Sequence, residues 1–379
     1  MAEQNDAGWL PVFALPNISL DAPIERAPCA LVPPNDPRIA ALRKRHPHLD
    51  VYLKCFTNNF GVRFEPQMLL LRADAPKLFF DIGALASFRD AIAASVVPLC
   101  RAEELLGSTR RGAYFGDYLA LYPWMIDKNF EYVVGRTPAL TGLHDVNLLH
   151  AQSTPSLSRM KLRRDDLDAP LLHALLECWA VRYGTGNPEW RDVALMRSLN
   201  MAYHASLMPG ASDATFHDVG RLICLWISAF EILVHTGPGG ASSQKAVLDL
   251  LDGVAWQSAT AAEKSHAAGK KAAKADRTLA SWVLDRLYTL RNDFLHGNPV
   301  TSDGFALPGS DRQSFRYAAP IYRAALSAFL PLQFNVPAPL RSNGAAFGAW
   351  VAEKMDFESP GQLIERAIMT VLLPENCCD

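Results

Sequence analysis

Residues 281–298, SWVLDRLYTLRNDFLHGN, carry the most informative pattern in the chain. At ~100° per residue, their apolar side chains fall on one broad face, which predicts a helix over residues 279–296. Arg291 lies in the middle of that face, where a buried guanidinium requires a partner. Asn292 and His296 are four residues apart and share an adjacent face. One end of this helix therefore combines a cation, an amide and an imidazole.

A second helix supplies a partner for Arg291. Residues 218–235, DVGRLICLWISAFEILVH, are apolar almost all round, which predicts a central position in a helical bundle. The exceptions form one narrow polar strip, Ser228, Glu231 and His235, at spacings i, i+3 and i+7. We expect Glu231 to meet Arg291 across the bundle.

The helical pattern extends through the C-terminal half of the chain. Predicted helices cover residues 171–183, 189–207, 215–235, 242–254, 279–296, 311–330, 344–354 and 359–373. In the N-terminal half, a helix is predicted over 85–106, and short apolar runs predict strands over 51–56, 62–71, 77–82, 114–122 and 130–134. The proline-rich residues 1–48 are predicted to be irregular. The fold class is α+β, with an N-terminal α+β domain over 1–165 and an all-α helical bundle over 166–379.

Composition and motifs exclude several classes of protein. The chain has 379 residues, 49% of them hydrophobic, and a formal net charge of −2, so no global basic field attracts nucleic acid. Its seven cysteines include no CxxC pair, which favours a reducing compartment over a disulfide framework or zinc ribbon. We find no signal-peptide pattern and no apolar run that spans a bilayer, and we predict a cytoplasmic protein without a membrane partner. GxSxG, P-loop and HExxH motifs do not occur.

Two segments together carry a resemblance to a known family. AFEILVH, residues 229–235, followed by LYTLRNDFLHG, residues 287–297, resembles the Apea-like branch of the HEPN superfamily. The resemblance covers roughly residues 170–335 and rests on Arg291, Asn292 and His296 followed by Gly297. It implies a helical bundle that dimerises around one cleft. Catalytic members of the superfamily are metal-independent endoribonucleases, in which the 2′-hydroxyl attacks the adjacent phosphate and leaves a 2′,3′-cyclic phosphate.

The resemblance assigns each polar residue a catalytic or supporting role. His296 would act as general acid or base, because imidazole exchanges protons near neutral pH. Arg291 would hold the phosphate and stabilise its developing charge, and Asn292 would orient the phosphate or the imidazole. Glu231 and Asp293 would support them. No metal or cofactor is required. The implied protein is a toxin or antiviral-defence ribonuclease whose partners are RNA, a second copy of the chain, and an antitoxin or regulator.

Structural interpretations of the same residues stay open. A histidine in the last turn and a glycine after it are also a common helix end, and Arg291 can serve only as an ion-pair partner of Glu231 or Asp293. A basic run upstream of the motif helix is either an RNA-backbone patch or solvated charge on a flexible Ala-rich loop; it comprises Lys264, Lys270, Lys271, Lys274 and Arg277. The alternative function is a HEPN module that dimerises and binds RNA or protein without cutting.

Overall fold

A computed structural model describes residues 8–58, 60–108, 115–123, 159–207, 215–270 and 274–373. The protein is α+β, as the sequence predicts, with strands concentrated in the N-terminal part and helices in the C-terminal part. Its described residues divide into two compact units. The first contains those within 1–89, 116–165 and 179–186, and the second those within 90–115, 166–178 and 187–379. The single boundary expected at residue 165 stays a prediction.

The first unit is built on an antiparallel sheet. Its strands are β1 (Trp9–Leu15), β2 (Ile18–Leu20), β3 (Ile24–Arg26), β4 (Cys29–Val32), β5 (Gln67–Arg72), β6 (Tyr122–Pro123) and β7 (Met160–Leu162). Five of them form one sheet in the order β3-β4-β5-β1-β6, and β2 pairs with β7 in parallel. The first five residues of β5, QMLLL, are all buried. A nearly continuous apolar run without alternation is typical of a strand that is covered on both faces.

Two short helices, α1 (Pro37–Arg45) and α2 (Pro47–Leu53), share an apolar core with this sheet. The Asp36 carboxylate caps α1 by accepting a backbone N–H bond at 2.9 Å, and each helix has a proline in its first turn. These helices and the first four strands correct the predictions of an irregular segment over 1–48 and a strand over 51–56. Pro37, one of the prolines that indicated a loop, is instead the first residue of α1.

The long helix α3 (Ile82–Leu105) contributes residues to both units. It is the one helix among the described residues that is long and apolar enough to cross a membrane, and 83% of its most apolar window is buried, which is typical of a core helix. A 3₁₀ turn, Lys77–Phe80, replaces the strand predicted over 77–82. A second 3₁₀ turn and the short β6 replace most of the strand predicted over 114–122. The strand predicted over 130–134 lies outside the described residues.

The second unit is mainly helical. Its elements include α4 (Ala169–Gly184), whose last residues belong to the first unit, and then α5 (Trp190–Ala205), α6 (Phe216–Leu233), α7 (Gln244–Asp252), α8 (Ala259–Ala262), β8 (His266–Ala268), β9 (Ala275–Arg277), α9 (Leu279–His296), α10 (Ala318–Phe329) and α11 (Gly344–Met369). α6 packs against α5, α9 and α10, which confirms its predicted central position. Ser198 links α5 to both α6 and α10. Its hydroxyl donates to the Ala229 carbonyl on α6 at 2.7 Å and forms a hydrogen bond with the Tyr322 hydroxyl on α10 at 2.6 Å.

Two elements of the second unit differ from those predicted. The basic run over residues 264–277, for which a flexible Ala-rich loop was one interpretation, includes the antiparallel strands β8 and β9. The two helices predicted over 344–354 and 359–373 form the single helix α11, because Pro360 removes one backbone donor without ending the helix. The buried residues of α11 all lie in its last six residues. Its first half and the preceding segment are held by an aromatic cluster of Phe334, Phe347, Trp350 and Phe357.

Candidate active site

The start of the motif helix α9 is fixed by a polar network with α7. Thr278 is the N-cap of α9, and its hydroxyl accepts a bond from the Ser281 backbone N–H at 3.4 Å. The Asp252 carboxylate, at the end of α7, accepts bonds from both residues, including the Ser281 hydroxyl at 2.8 Å. An N-cap with this many partners sets where the helix begins. The observed bounds of α9 are those predicted from its sequence.

The end of α9 is fixed by close packing on α6. A Cβ built on Gly220 of α6 would lie 2.5 Å from the Phe294 ring, so only a glycine permits this approach. The ring of Phe294 also stacks on Phe305, with centroids 6.0 Å apart, and meets His217 edge-on. Gly297 then ends the helix in the left-handed conformation, at φ 70°. The turn that carries the motif is therefore held at a defined position beside α6.

Arg291 lies where the sequence places it, between α9 and α6. Its Nη2 is 3.8 Å from Oε2 of Glu231, and its Nη1 donates to Oδ1 of Asn292 at 3.2 Å. The structure therefore brings Arg291, Asn292 and Glu231 together. However, the side chains of Arg291 and Glu231 are 29% and 24% exposed, so the expectation of a buried guanidinium was wrong. An ion pair with this exposure contributes about 0–1 kcal/mol to stability.

Two further side chains surround Arg291 and were not assigned to the site from the sequence. Tyr288 is buried, and burial raises the pKa of its phenol well above its usual range. The charge of Glu231 raises that pKa further, whereas Arg291 lowers it. Burial also raises the pKa of the Cys224 thiol, and Arg291 again opposes the shift. The signals that could have located them are helical spacings: Tyr288 is one turn before Arg291, and Cys224 is one turn before the polar strip of α6.

His296 occupies the exposed last turn of α9. Among the described residues it makes no hydrogen bond or ion pair, so its imidazole is open to a ligand. Leu295, beside it, is 58% exposed. Asp293 is engaged at the helix end, because its carboxylate accepts a bond from the Asn298 amide at 2.9 Å. The structure therefore separates Asp293 from the Arg291 ion pair.

The upstream basic run contains two kinds of residue. Arg277 is an ion-pair partner of Asp249 and of Asp252, the latter at 2.8 Å, and its side chain is only 11% exposed. Within the part of the chain that the structure describes, the exposed members form no ion pair; they are Lys264, Lys270 and Lys274. Lys271 lies outside the described residues. An RNA-backbone contact thus has three described lysines available, while Arg277 serves the junction of α7 and α9.

His235, predicted as the end of the polar strip in a helix over 215–235, lies beyond the observed end of α6 at Leu233. Its Nδ1 accepts a bond from the Gly237 backbone N–H at 3.1 Å, and its ring packs 5.6 Å from that of Trp190. Across the described residues, no group of three His, Cys, Asp or Glu side chains is arranged to hold a metal ion. The chemical groups gathered at the site are a guanidinium, an amide, a carboxylate and a phenol, with an exposed imidazole at the end of the same helix.

Similarity to other proteins adds nothing to this geometry. Comparisons with models of protein families, with curated proteins and with solved structures found no match.

Proposed function

We propose that this protein is a metal-independent endoribonuclease of the HEPN type, and that it acts in a toxin or antiviral-defence role in the cytoplasm. The RNA 2′-hydroxyl attacks the adjacent phosphate, and the product carries a 2′,3′-cyclic phosphate. Arg291 binds the phosphate, Asn292 orients it, and His296 transfers a proton. The N-terminal residues 1–165 sense a trigger or select the target, with an antitoxin or regulatory protein as a further partner.

The partial exposure of Arg291 and its distance from the nearest carboxylate carry this proposal. Its guanidinium is partly exposed, and the nearest carboxylate is 3.8 Å away, which is longer than a hydrogen bond. A purely structural arginine would be expected to make short, paired bonds to its carboxylate. Here the carboxylate orients the guanidinium and leaves N–H donors for a phosphate. Asn292 accepts a bond from the same guanidinium, and this bond holds the two side chains next to each other on α9.

A homodimer is part of the proposal, because one set of Arg291, Asn292 and His296 offers few groups for both proton transfers. A two-fold axis supplies a second imidazole. Leu295 supports a contact at this point, since a large apolar side chain that is 58% exposed gains free energy when a partner covers it. Light scattering should give twice the mass of the 41.7 kDa chain at micromolar concentration.

Leu295→Glu should shift this protein toward the monomer. The matched control is Met355→Glu, because Met355 is similarly exposed, at 64%, on a different helix. A wild-type protein that has only the mass of one chain would exclude the dimer. Equal effects of the two substitutions would exclude Leu295 from the interface.

Cleavage of single-stranded RNA in excess EDTA tests the mechanism. The nucleophile is the 2′-hydroxyl of the substrate, so the reaction needs no metal-bound water, and DNA should resist. His296→Ala should lower the rate by about 10²-fold or more. The matched control is His173→Ala, because His173 is also exposed on a helix of the second unit. A folded His296→Ala variant that cleaves as fast as the wild type would refute the proposal, as would a requirement for a divalent metal.

A non-catalytic module that binds RNA or protein is the second candidate. The left-handed Gly297 favours it, because a helix end alone accounts for the His–Gly pair. Gel-shift and product analysis on the same samples separate the two functions. A module would bind RNA without forming cyclic-phosphate ends, and His296→Ala would leave binding unchanged.

A further inference from the structure

A cavity of about 540 Å³ lies within the second unit, lined by residues of α3, α5, α6 and the segment that leads into α10. Its walls on α6 are Val219, Leu222, Ile223 and Trp226. The candidate active site uses Gly220, Cys224 and Glu231 of the same helix, which are different positions. The cavity is thus separate from the proposed ribonuclease site. Its volume is typical of pockets that bind small molecules.

The cavity is apolar inside and charged at its rim. Ile223 and Trp226 on one wall are buried, and the few polar side chains in the lining include Ser206 and Gln313. A sugar or nucleotide would leave many of its polar groups without hydrogen-bond partners in such walls, which costs free energy. An alkyl chain has no polar groups to leave unpaired there, and it gains free energy from leaving water.

Two arginines lie at the rim, and only one of them is neutralised. The guanidinium of Arg101 lies 3.9 Å from the centre of the Phe115 ring, and it pairs with Glu104 at 2.7 Å. Arg316 is exposed on the 3₁₀ turn Ser314–Tyr317, and among the described residues it has no ion-pair partner. Among the described residues that line the cavity, two arginines and one glutamate are charged, so this lining has one positive charge in excess. Arg316 is the exposed arginine, where the head group of a ligand would meet water.

We propose that this cavity binds an amphiphilic alkyl carboxylate. The alkyl chain occupies the apolar interior beside Trp226, and the carboxylate faces Arg316. The bond is charge-assisted, since the guanidinium is the donor and the carboxylate the acceptor. An alkylammonium of the same length would meet Arg316 with like charge, and an alcohol would lack the ion pair. The cavity thus selects for chain length and for negative charge.

Titration calorimetry on the full chain with hexanoate, octanoate and decanoate tests both features. Each added methylene should tighten binding about fourfold until the cavity is full, with one site per chain. Octanol should bind about fivefold more weakly than octanoate, which is the scale of an exposed ion pair, and octylammonium should bind more weakly still. Arg316→Gln should reduce octanoate binding to the level of octanol. Arg221→Gln, an exposed arginine of α6 outside the cavity, is the matched control and should bind octanoate normally.

Val219→Trp fills the cavity from a half-exposed position on α6 and should abolish binding of all three carboxylates. Circular dichroism and urea unfolding establish whether this variant is folded; if it is not, the chain-length series and Arg316→Gln decide. Binding that is equal for octanoate and octylammonium would overturn the proposal. So would binding that does not saturate at one site, binding that Arg316→Gln leaves unchanged, or no heat with millimolar decanoate at two well-separated temperatures, since the heat of apolar burial changes with temperature.

Discussion

Gly220→Ala tests whether close packing of α6 on Phe294 holds the motif turn in place. The added Cβ would lie 2.5 Å from the Phe294 ring, a distance at which one of the two groups must move. The ring is not free to move without loss, because it stacks on Phe305. Overpacking of this kind destabilises a protein by about 1–3 kcal/mol.

Gly220→Ala also raises the intrinsic helix propensity of α6, and this stabilisation must be separated from the cost of the clash. Alanine is favoured over glycine inside a helix by about 1 kcal/mol. Gly348→Ala isolates that gain, because Gly348 is the fifth residue of α11, as Gly220 is of α6, and has open space where its Cβ would lie. We expect Gly348→Ala to stabilise by up to about 1 kcal/mol. Gly220→Ala should then be less stable than Gly348→Ala by about 1–3 kcal/mol.

Urea unfolding followed by circular dichroism measures both variants against the wild type. Phe294→Ala provides the internal check, because without the ring the clash is gone, and Gly220→Ala in that background should recover the helix-propensity gain. If Gly220→Ala stabilises the wild-type chain as much as Gly348→Ala does, the proposed contact does not constrain α9.

Three further predictions concern buried charges and thiols. Arg323→Met should lower the free energy of unfolding by about 3–5 kcal/mol, because it leaves the fully buried Asp168 without its partner at 2.7 Å; adding Asp168→Asn should recover much of the loss in urea unfolding. Burial raises the pKa of Asp252, but bonds from Arg277 and the start of α9 lower it more, so the net pKa lies below its ordinary value. The resulting stabilisation is present above the unfolded pKa and is lost as pH falls through the folded pKa, so Asp252→Asn should flatten the fall of Tm below about pH 4. Burial raises the pKa of the Cys29 thiol, and peptide mapping after treatment with a disulfide reagent should find it unmodified at about pH 8; rapid modification of the native protein would contradict this.

The helices were predicted from sequence far better than the strands. Periodicity and caps determine a helix locally, so Thr278 and Gly297 set both ends of α9 in the predicted places. Residues 51–56 and 77–82 are short apolar runs that suit a strand, a helix or a 3₁₀ turn, and tertiary packing decides among them. The strand predicted over 62–71 overlaps β5, but the four strands between residues 9 and 32 were missed, because they are short and lie among prolines.

The candidate site was predicted in part. Helical spacing was sufficient to pair Arg291 with Glu231, because both lie on the facing sides of two long helices. Exposure was not predictable in this way, since it depends on which neighbours cover the end of α9. Gly220 shows the same limit: a glycine inside an apolar helix indicates close packing, but the sequence does not reveal that Phe294 is its neighbour.

The aromatic cluster on the first half of α11 has a consequence for the dynamics of the chain. Phe334, Phe347, Trp350 and Phe357 contact one another, and the Trp350 indole donates to the Val336 carbonyl at 2.8 Å. The buried residues of α11 begin only at Ile364. The contacts that hold residues 334–357 together are therefore mainly those among these four rings. We therefore expect residues 334–357 to open and close by local unfolding as one unit, while the helical core keeps its hydrogen-exchange protection.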